Sequence, residues 1–207
     1  MGVAAKGKLW AKGTELKIRF LEGAPELQER TLRTGASWIV DGVKLGMRHA
    51  RAGEKADIRI SFDPGRGSWS YIGTESTGIH PSQPTMNLGW VTMQTPEEDF
   101  SSVVIHEFGH ALGLLHEHVH PGAMINWDKA AVYADLGGEP NYWDKKTIDD
   151  NVFAKFDSSK AITTCHFNEA SVMIYAVPPH WTIDGKGFVP SWKLSPGDAA
   201  TSQKLYG

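Results

Sequence analysis

The sequence predicts a domain in which a β-sheet carries a helix on one face. With 207 residues and 41% hydrophobic side chains, the chain can enclose a sizeable core. Strand-like segments flank a helix-like one in its first hundred residues, and a histidine-rich apolar segment follows with helical spacing.

A net charge of −3 gives no reason to expect nucleic acid or an anionic membrane as partner. Cys165 is the single cysteine, which rules out an intramolecular disulfide.

The first half of the chain supplies the predicted strands. Residues 15–23, ELKIRFLEG, alternate polar and apolar side chains, which predicts the first strand. Residues 25–47 begin with proline and are rich in Glu, Leu, Arg and Gln, so we expect one long helix there. Residues 56–62, ADIRISF, show the clearest alternation in the chain. Residues 68–74, SWSYIGT, and 84–91, PTMNLGWV, are expected to be two further strands.

A second helix is expected to carry a metal site. Residues 95–98, TPEE, match a capping box with proline at the first helical position. The helix would continue into residues 106–120, HEFGHALGLLHEHVH, which hold five of the nine histidines. Because each helical residue advances about 100°, His106 and His110 lie about 40° apart and one turn along. Both imidazoles can reach one metal ion, and Glu107 lies beside them where it can contact a metal-bound water.

A third histidine can join the site only if the helix ends before it. In an unbroken helix His116 would lie about 240° around the axis from His110. We therefore expect Gly113 to adopt the left-handed conformation, end the helix and turn the chain back. Three neutral histidines and one water form a catalytic zinc site with an open position. His118 and His120 lie beyond the turn and are expected at the surface or in contacts that support the ligands.

These residues resemble the signature of the metzincin zinc peptidases, His-Glu-x-x-His-x-x-Gly-x-x-His. The segment SVMIY, residues 171–175, resembles the Met-turn that lies beneath the metal in this group, with Met173 as its methionine. Two further residues resemble the astacin family within the metzincins: Glu117, directly after the third histidine, and Tyr175, two residues after Met173. The resemblance runs from about residue 15 onward.

The resemblance implies an α+β, two-lobed catalytic domain over residues 1–207. The N-terminal lobe, about 1–113, would hold a twisted, mostly parallel sheet with an antiparallel edge strand and the active-site helix. The C-terminal lobe, about 114–207, would be mostly irregular and helical. Residues 194–207 would form a closing helix, in which Ser-Pro-Gly-Asp supplies the cap, the first residue and the capping acid.

The resemblance also implies a zinc-dependent endopeptidase with one catalytic Zn²⁺ held by His106, His110 and His116. The ion would activate a water molecule, and Glu107 would act as general base while that water attacks a peptide carbonyl. Tyr175 could also serve as a fifth zinc ligand at rest, and its hydroxyl would stabilise the tetrahedral intermediate after moving away. The alternative for Tyr175 is an ordinary core tyrosine.

An extended peptide needs an exposed strand edge, and we expect that edge at Trp69, Ser70, Tyr71 and Ile72. A buried strand is the alternative. Met173 is expected to be an adaptable packing surface under the histidines. By resemblance, Glu117 occupies the position of a glutamate that contacts the N-terminal amine of mature astacins, and the sequence leaves open whether Glu117 meets an amine. By the same resemblance the protein would be extracellular, and we expect a monomer acting on protein or peptide, with no nucleic-acid or membrane partner. The N-terminal residues lack the apolar region of a signal peptide.

Two other functions stay open. One is a non-catalytic binding module stabilised by zinc, although a purely structural site would have no use for a general base such as Glu107. The other is a zinc amidase or deacetylase that acts on a non-protein substrate. Zinc-dependent cleavage of casein, blocked by a chelator, would identify a peptidase, and acetylated sugars tested against short peptides would separate the deacetylase.

Overall fold

The computed structural model describes residues 2–155, 159, 161–163 and 166–207, so Cys165 lies outside the described residues. The strands are β1 Val3–Ala5, β2 Glu15–Phe20, β3 Gly46–His49, β4 Ile58–Ser61, β5 Ser68–Ser70, β6 Met86–Leu88, β7 Leu114–Leu115 and β8 Ala161–Thr163. The α-helices are α1 Pro25–Gly35, α2 Glu97–Ala111, α3 Lys129–Gly137, α4 Lys145–Ile148 and α5 Pro196–Tyr206. Helix α4 continues as a π-helical turn over Asp149–Phe153.

The larger sheet has the strand order β3-β2-β4-β6-β5. Strands β2, β3, β4 and β6 run parallel to one another. Strand β5 alone runs antiparallel to its neighbour β6, with Ser68 opposite Leu88 and Ser70 opposite Met86. Strand β5 is therefore the edge strand of this sheet. The predicted α+β class, with a mostly parallel sheet and an antiparallel edge strand, is confirmed.

A smaller antiparallel sheet joins distant parts of the chain. Strand β1 lies between β7 and β8, and Val3 pairs with both Leu115 and Thr163. None of these short strands was predicted, because two or three residues contain too little alternation to identify a strand. This sheet ties the chain just after Gly113 to both the N-terminal segment and residues 161–163.

The main hydrophobic core lies between the larger sheet and helices α1 and α2. Its fully buried members include Leu16, Ile18, Trp38, Ile58, Ile60, Met86, Leu88, Phe100 and Phe108. The indole Nε1 of Trp38 donates to the carbonyl of Ile105 on α2 at 2.8 Å. This bond fixes the helix that bears the histidine motif against the segment following α1.

The expected long helix over residues 25–47 is wrong in its second half. Helix α1 ends at Gly35, a 3₁₀ turn covers Ala36–Trp38, and β3 begins at Gly46. A Cβ on Gly35 would lie 2.5 Å from the ring of Phe108, so glycine permits a close approach of the two helices here. The chain then bends to bury Trp38 against α2. Tertiary packing has overridden helix propensity.

The two predicted capping boxes have different outcomes. Helix α2 has Pro96 at its N-cap with no side-chain cap, and the Thr95 hydroxyl instead accepts the N–H of Thr92 at 2.9 Å. That capping box is therefore wrong. At α5 the predicted box is confirmed, with Ser195 and Asp198 each accepting the other's N–H.

In the part of the chain that the structure describes, no helix combines the length and apolar character needed to cross a membrane.

Candidate metal centre

Three histidine side chains converge where helix α2 ends. His106 and His110 lie on α2, which stops at Ala111, and Gly113 has a φ of 92°, in the left-handed region. The chain then reverses and brings His116 back, so that its Nε2 lies 3.2 Å from that of His110 and 3.1 Å from that of His106. The predicted helix break at Gly113 is confirmed.

The donor set fits a tetrahedral zinc ion. Nitrogen ligands about 2.0–2.1 Å from zinc lie roughly 3.3 Å from each other in tetrahedral geometry, close to the separations between these ring nitrogens. The Nδ1 atoms of His106 and His110 face the carbonyls of Val172 and Leu114, each at 2.9 Å. These contacts place the proton on Nδ1 and leave Nε2 free as a ligand atom. Among the described residues, the histidine triad is the only group of three potential ligands with this convergence.

The electrostatics of the triad keep the imidazoles neutral. Burial lowers the pKa of all three histidines, and that of His110 falls to about 3 with a further contribution from His106. A metal ligand must be deprotonated at the donor nitrogen, so the same burial that disfavours imidazolium prepares the site for a cation.

Glu107 is the buried carboxyl group of the site. Its side chain is 7% exposed, and its Oε2 has no hydrogen-bond partner among the described residues. Burial raises the pKa of Glu107 to about 8, because the low-dielectric surroundings disfavour the carboxylate. A cation at the histidine nitrogens would oppose this shift and favour the ionised form. Glu107 lines the same cavity of about 870 Å³ as the three histidines.

The Met-turn packs directly beneath the histidine helix. Met173 is 2% exposed, and a Cβ added to Gly109 would lie 2.3 Å from its sulfur. Gly109 therefore lets the thioether contact the backbone of α2, between His106 and His110. We did not predict this role for Gly109, although a glycine in a helix interior signals close packing when it is tolerated.

Asp198 connects the Met-turn to helix α5. This buried carboxylate accepts the hydroxyl of Ser171 at 2.5 Å and the N–H of Val172 at 3.1 Å, in addition to its capping contact with Ser195. The carbonyl of Val172 is the partner of His106. The capping acid of α5 thus holds the backbone N–H of Val172, the residue whose carbonyl faces His106, a link that capping rules alone do not reveal.

Glu117, His118 and His120 are all buried. Of the two positions expected for His118 and His120, burial excludes the surface and leaves contacts that support the histidine triad. His118 donates from Nε2 to the carbonyl of Asn151 at 3.0 Å, and its ring stacks 5.3 Å from that of His116. Neither His118 nor His120 joins the convergent group. Residues 117–119 form a 3₁₀ turn that contacts the π-helical turn Asp149–Phe153.

The carboxylate of Glu117 accepts the backbone N–H of Asn168 at 2.8 Å. The backbone N–H of Glu117 donates to the carbonyl of Met173 at 2.8 Å. Burial is the main cause that raises the pKa of Glu117 to about 8. Glu117 therefore joins the segment of the third histidine to the Met-turn. The sequence leaves open whether Glu117 contacts an N-terminal amine, and Met1 lies outside the described residues.

Tyr175 and the edge strand border the same cavity. The ring of Tyr175 is half-buried, lies 5.4 Å from that of His116, and has a phenol pKa raised by burial. Trp69, Ser70 and Ile72 line the cavity, whereas Tyr71 does not and instead donates its N–H to the carbonyl of Thr85. The edge position of this segment excludes the buried-strand alternative.

Comparison with solved structures supports the fold. Two structures of myroilysin are 33% and 32% identical to this chain, cover 99% and 97% of it, and are themselves covered over 98% and 86% of their length, with TM-scores of 0.93 and 0.73. A third structure is that of high choriolytic enzyme 1, a hatching enzyme zinc-protease from the medaka fish Oryzias latipes. It is 16% identical to this chain with a TM-score of 0.61, and the match covers 96% of this chain and 93% of that enzyme's chain. At that identity the likeness shows the metzincin fold alone.

The sequence model of the matrixin peptidase family matches residues 10–136, more than half of the chain. The match contains β2 to β6, helix α2 and all three convergent histidines. The chain therefore belongs to the matrixin family of zinc metallopeptidases.

Proposed function

We propose that the protein is a zinc-dependent endopeptidase with Glu107 as its general base. The observation that carries this proposal is the meeting of three neutral imidazoles, a buried carboxyl group and a sheet edge in one cavity of about 870 Å³. A structural zinc site has no need of a cavity or an unpaired carboxyl group, so these features favour catalysis over a binding module.

His106, His110 and His116 would hold one zinc ion, which when bound lowers the pKa of a water molecule and polarises a carbonyl as a Lewis acid. Glu107 follows His106 on the same helix and faces the cavity. Its carboxylate would accept the proton of the attacking water and deliver it to the leaving amine.

Tyr175 would supply a hydroxyl donor to the oxyanion, and could also bind zinc in the resting state. Its raised pKa keeps the phenol protonated, as a donor requires. The free side of β5 offers backbone groups to an extended peptide, and the following Ile72 continues the cavity wall. Trp69, Ser70, Tyr71 and Ile72 would therefore form the substrate edge.

We further propose an astacin-like position within the metzincins. Glu117 directly after the third histidine and Tyr175 two residues after Met173 support this subgroup. Residues 1–207 would form one catalytic domain, with the lobes meeting near Gly113. By the same resemblance we expect an extracellular monomer with protein or peptide substrates and no nucleic-acid or membrane partner.

The substitution Glu107→Gln tests the assignment of the base. Because the amide keeps the shape of the side chain but cannot accept the proton, kcat on a defined peptide should fall by at least about 10²–10⁴ while zinc content stays stoichiometric. The matched control is Glu98→Gln, an exposed glutamate earlier on the same helix. Retention of a tenth of the wild-type rate in Glu107→Gln would reject the assignment, and a zinc-loaded wild type that deacetylates sugars but cuts no peptide would favour the deacetylase.

A further inference from the structure

The ring of His118 lies behind the cavity wall and has no part in the proposed mechanism. The residue is 1% exposed, and it belongs neither to the convergent histidines nor to the residues that line the cavity. Its ring centroid lies 5.3 Å from that of His116 and 5.2 Å from that of Tyr175. The rings of His116 and Tyr175 are themselves 5.4 Å apart. The three rings therefore form a triangle of a candidate zinc ligand, the proposed oxyanion donor and a third ring that supports both.

One hydrogen bond anchors the ring of His118. Its Nε2 donates to the carbonyl of Asn151 at 3.0 Å, near the end of the π-helical turn, where carbonyls lack a partner within the helix. The indole of Trp127 packs edge-on against the same ring at 6.5 Å. Nδ1 of His118 is buried and has no hydrogen-bond partner among the described residues. Because an unpaired buried nitrogen is unfavourable, the bond through Nε2 is what histidine provides here and an apolar ring would not.

The phenol of Tyr175 has no comparable anchor. Its ring is half-buried, and among the described residues its hydroxyl has no hydrogen-bond partner. The aromatic rings that it contacts are those of His116 and His118. A donor to an oxyanion is most effective when it is already oriented before the reaction. Since His116 would be bound to the metal ion, the ring of His118 is the neighbour that is free to orient the phenol.

Resting on the proposed endopeptidase function, we propose that His118 is a positioning residue for Tyr175. Its ring, anchored to the carbonyl of Asn151, holds the phenol in the orientation in which the hydroxyl reaches the oxyanion. His118 itself contacts neither substrate nor metal. Contacts between aromatic rings are strong enough to change the population of one side-chain orientation by up to about tenfold. Loss of the His118 ring should therefore lower kcat by about tenfold, with zinc content unchanged and KM little altered.

The test is a double-mutant cycle with the zinc-loaded enzyme and one defined peptide. His118→Gln removes the ring and keeps an amide that can donate to Asn151. We expect its tenfold loss of kcat in the wild-type background to shrink to less than about twofold in the Tyr175→Phe background, because the hydroxyl to be positioned is then absent. An equal loss in both backgrounds, no loss at all, or wild-type kinetics of Tyr175→Phe would overturn the proposal.

Two further variants separate positioning from general loosening of the second lobe. His118→Phe keeps a ring against Tyr175 and should retain kcat within about threefold of the wild type. Val132→Ala opens a cavity in the buried core of the second lobe on α3, so it should lower the free energy of unfolding and leave kcat within about twofold. A tenfold loss of kcat in Val132→Ala would overturn the proposal, because the effect would then need no contact with Tyr175.

A readout without substrate tests the contact itself. The chain has five tyrosines, so 3-fluorotyrosine labelling gives a small set of ¹⁹F resonances, and Tyr175→Phe identifies the signal of Tyr175. In His118→Gln that signal should shift or broaden while the other four stay in place. If this variant does not fold, His118→Phe, which loses the anchor to Asn151, takes its place. An unchanged Tyr175 signal would overturn the proposal, whereas a wild-type protein that cuts no peptide would reject the proposed function itself.

Discussion

Helix α2 and the chain that follows Gly113 both contribute histidines to one candidate metal centre, but they position them in different ways. Helical geometry sets the backbone spacing of His106 and His110, one turn apart. His116 is placed by the reversal at Gly113, by a two-residue strand, and by the bond from Glu117 to Met173. The comparison teaches that local structure sets the backbone spacing of two of the histidines, while the backbone position of the third depends on a contact across more than fifty residues.

The largest expected effect comes from removing the ligand of the second region. His116→Ala should abolish stoichiometric zinc binding and peptidase activity, because two imidazoles remain where a catalytic site uses three protein ligands. Metal content of the folded protein, measured by atomic spectroscopy, is the readout. His118→Ala is the comparison variant and should retain zinc, since His118 lies outside the convergent group. Full zinc occupancy in His116→Ala would contradict the role assigned to the reversal at Gly113.

Tyr175→Phe removes the phenol hydroxyl of a residue that lies in the chain after Gly113 and lines the cavity. Loss of one oxyanion donor typically costs about 10²–10³ in kcat, and we expect that reduction here with zinc content unchanged and KM little altered. Steady-state kinetics on one defined peptide separate the two parameters. A change in KM alone would show that the hydroxyl contributes to ground-state binding. Unchanged kinetics would support the alternative that Tyr175 is an ordinary core tyrosine.

Asp198→Asn weakens the long-range support of His106. The variant loses a charged acceptor of the Val172 N–H, and the carbonyl of the same residue faces that histidine. Partners of metal ligands commonly contribute 10–100-fold to metal affinity, so we expect about tenfold weaker zinc binding in a chelator competition. Ser195→Ala removes a capping hydroxyl and leaves the bond from Val172 to Asp198 in place. Equal zinc affinity in the two variants would reduce Asp198 to a helix cap.

Gly109→Ala probes the contact between the two regions. Alanine favours a helix interior by up to about 1 kcal/mol, but the added methyl group would overlap the sulfur of Met173. Overpacking a core costs about 1–3 kcal/mol, so we expect a net decrease of about 1–2 kcal/mol in the free energy of unfolding, measured by urea denaturation. In a Met173→Ala background the same change should be neutral or stabilising. If Gly109→Ala destabilised the wild-type protein and the Met173→Ala variant equally, overlap with the sulfur of Met173 would not be the cause.

The same contrast explains what could be predicted from the sequence. Helix α2, its end at Gly113 and strand β4 follow from residue spacing, and the structure has them where the pattern places them. The end of α1 at Gly35 does not follow, because it depends on the ring of Phe108, seventy-three residues away in the chain. The buried position of His118 likewise depends on a partner far along the chain, the carbonyl of Asn151.

The link from Asp198 through Val172 to His106 has a consequence for the order in which the protein is made. All three histidines have been synthesised once the chain reaches residue 116, yet the carboxylate that fixes the Met-turn comes about 80 residues later. At a ribosomal rate of ~5–20 residues per second, this interval lasts roughly 4–16 s. A nascent chain of intermediate length therefore carries the zinc-binding motif without the support that orients it, which delays a finished active site until most of the second lobe has emerged.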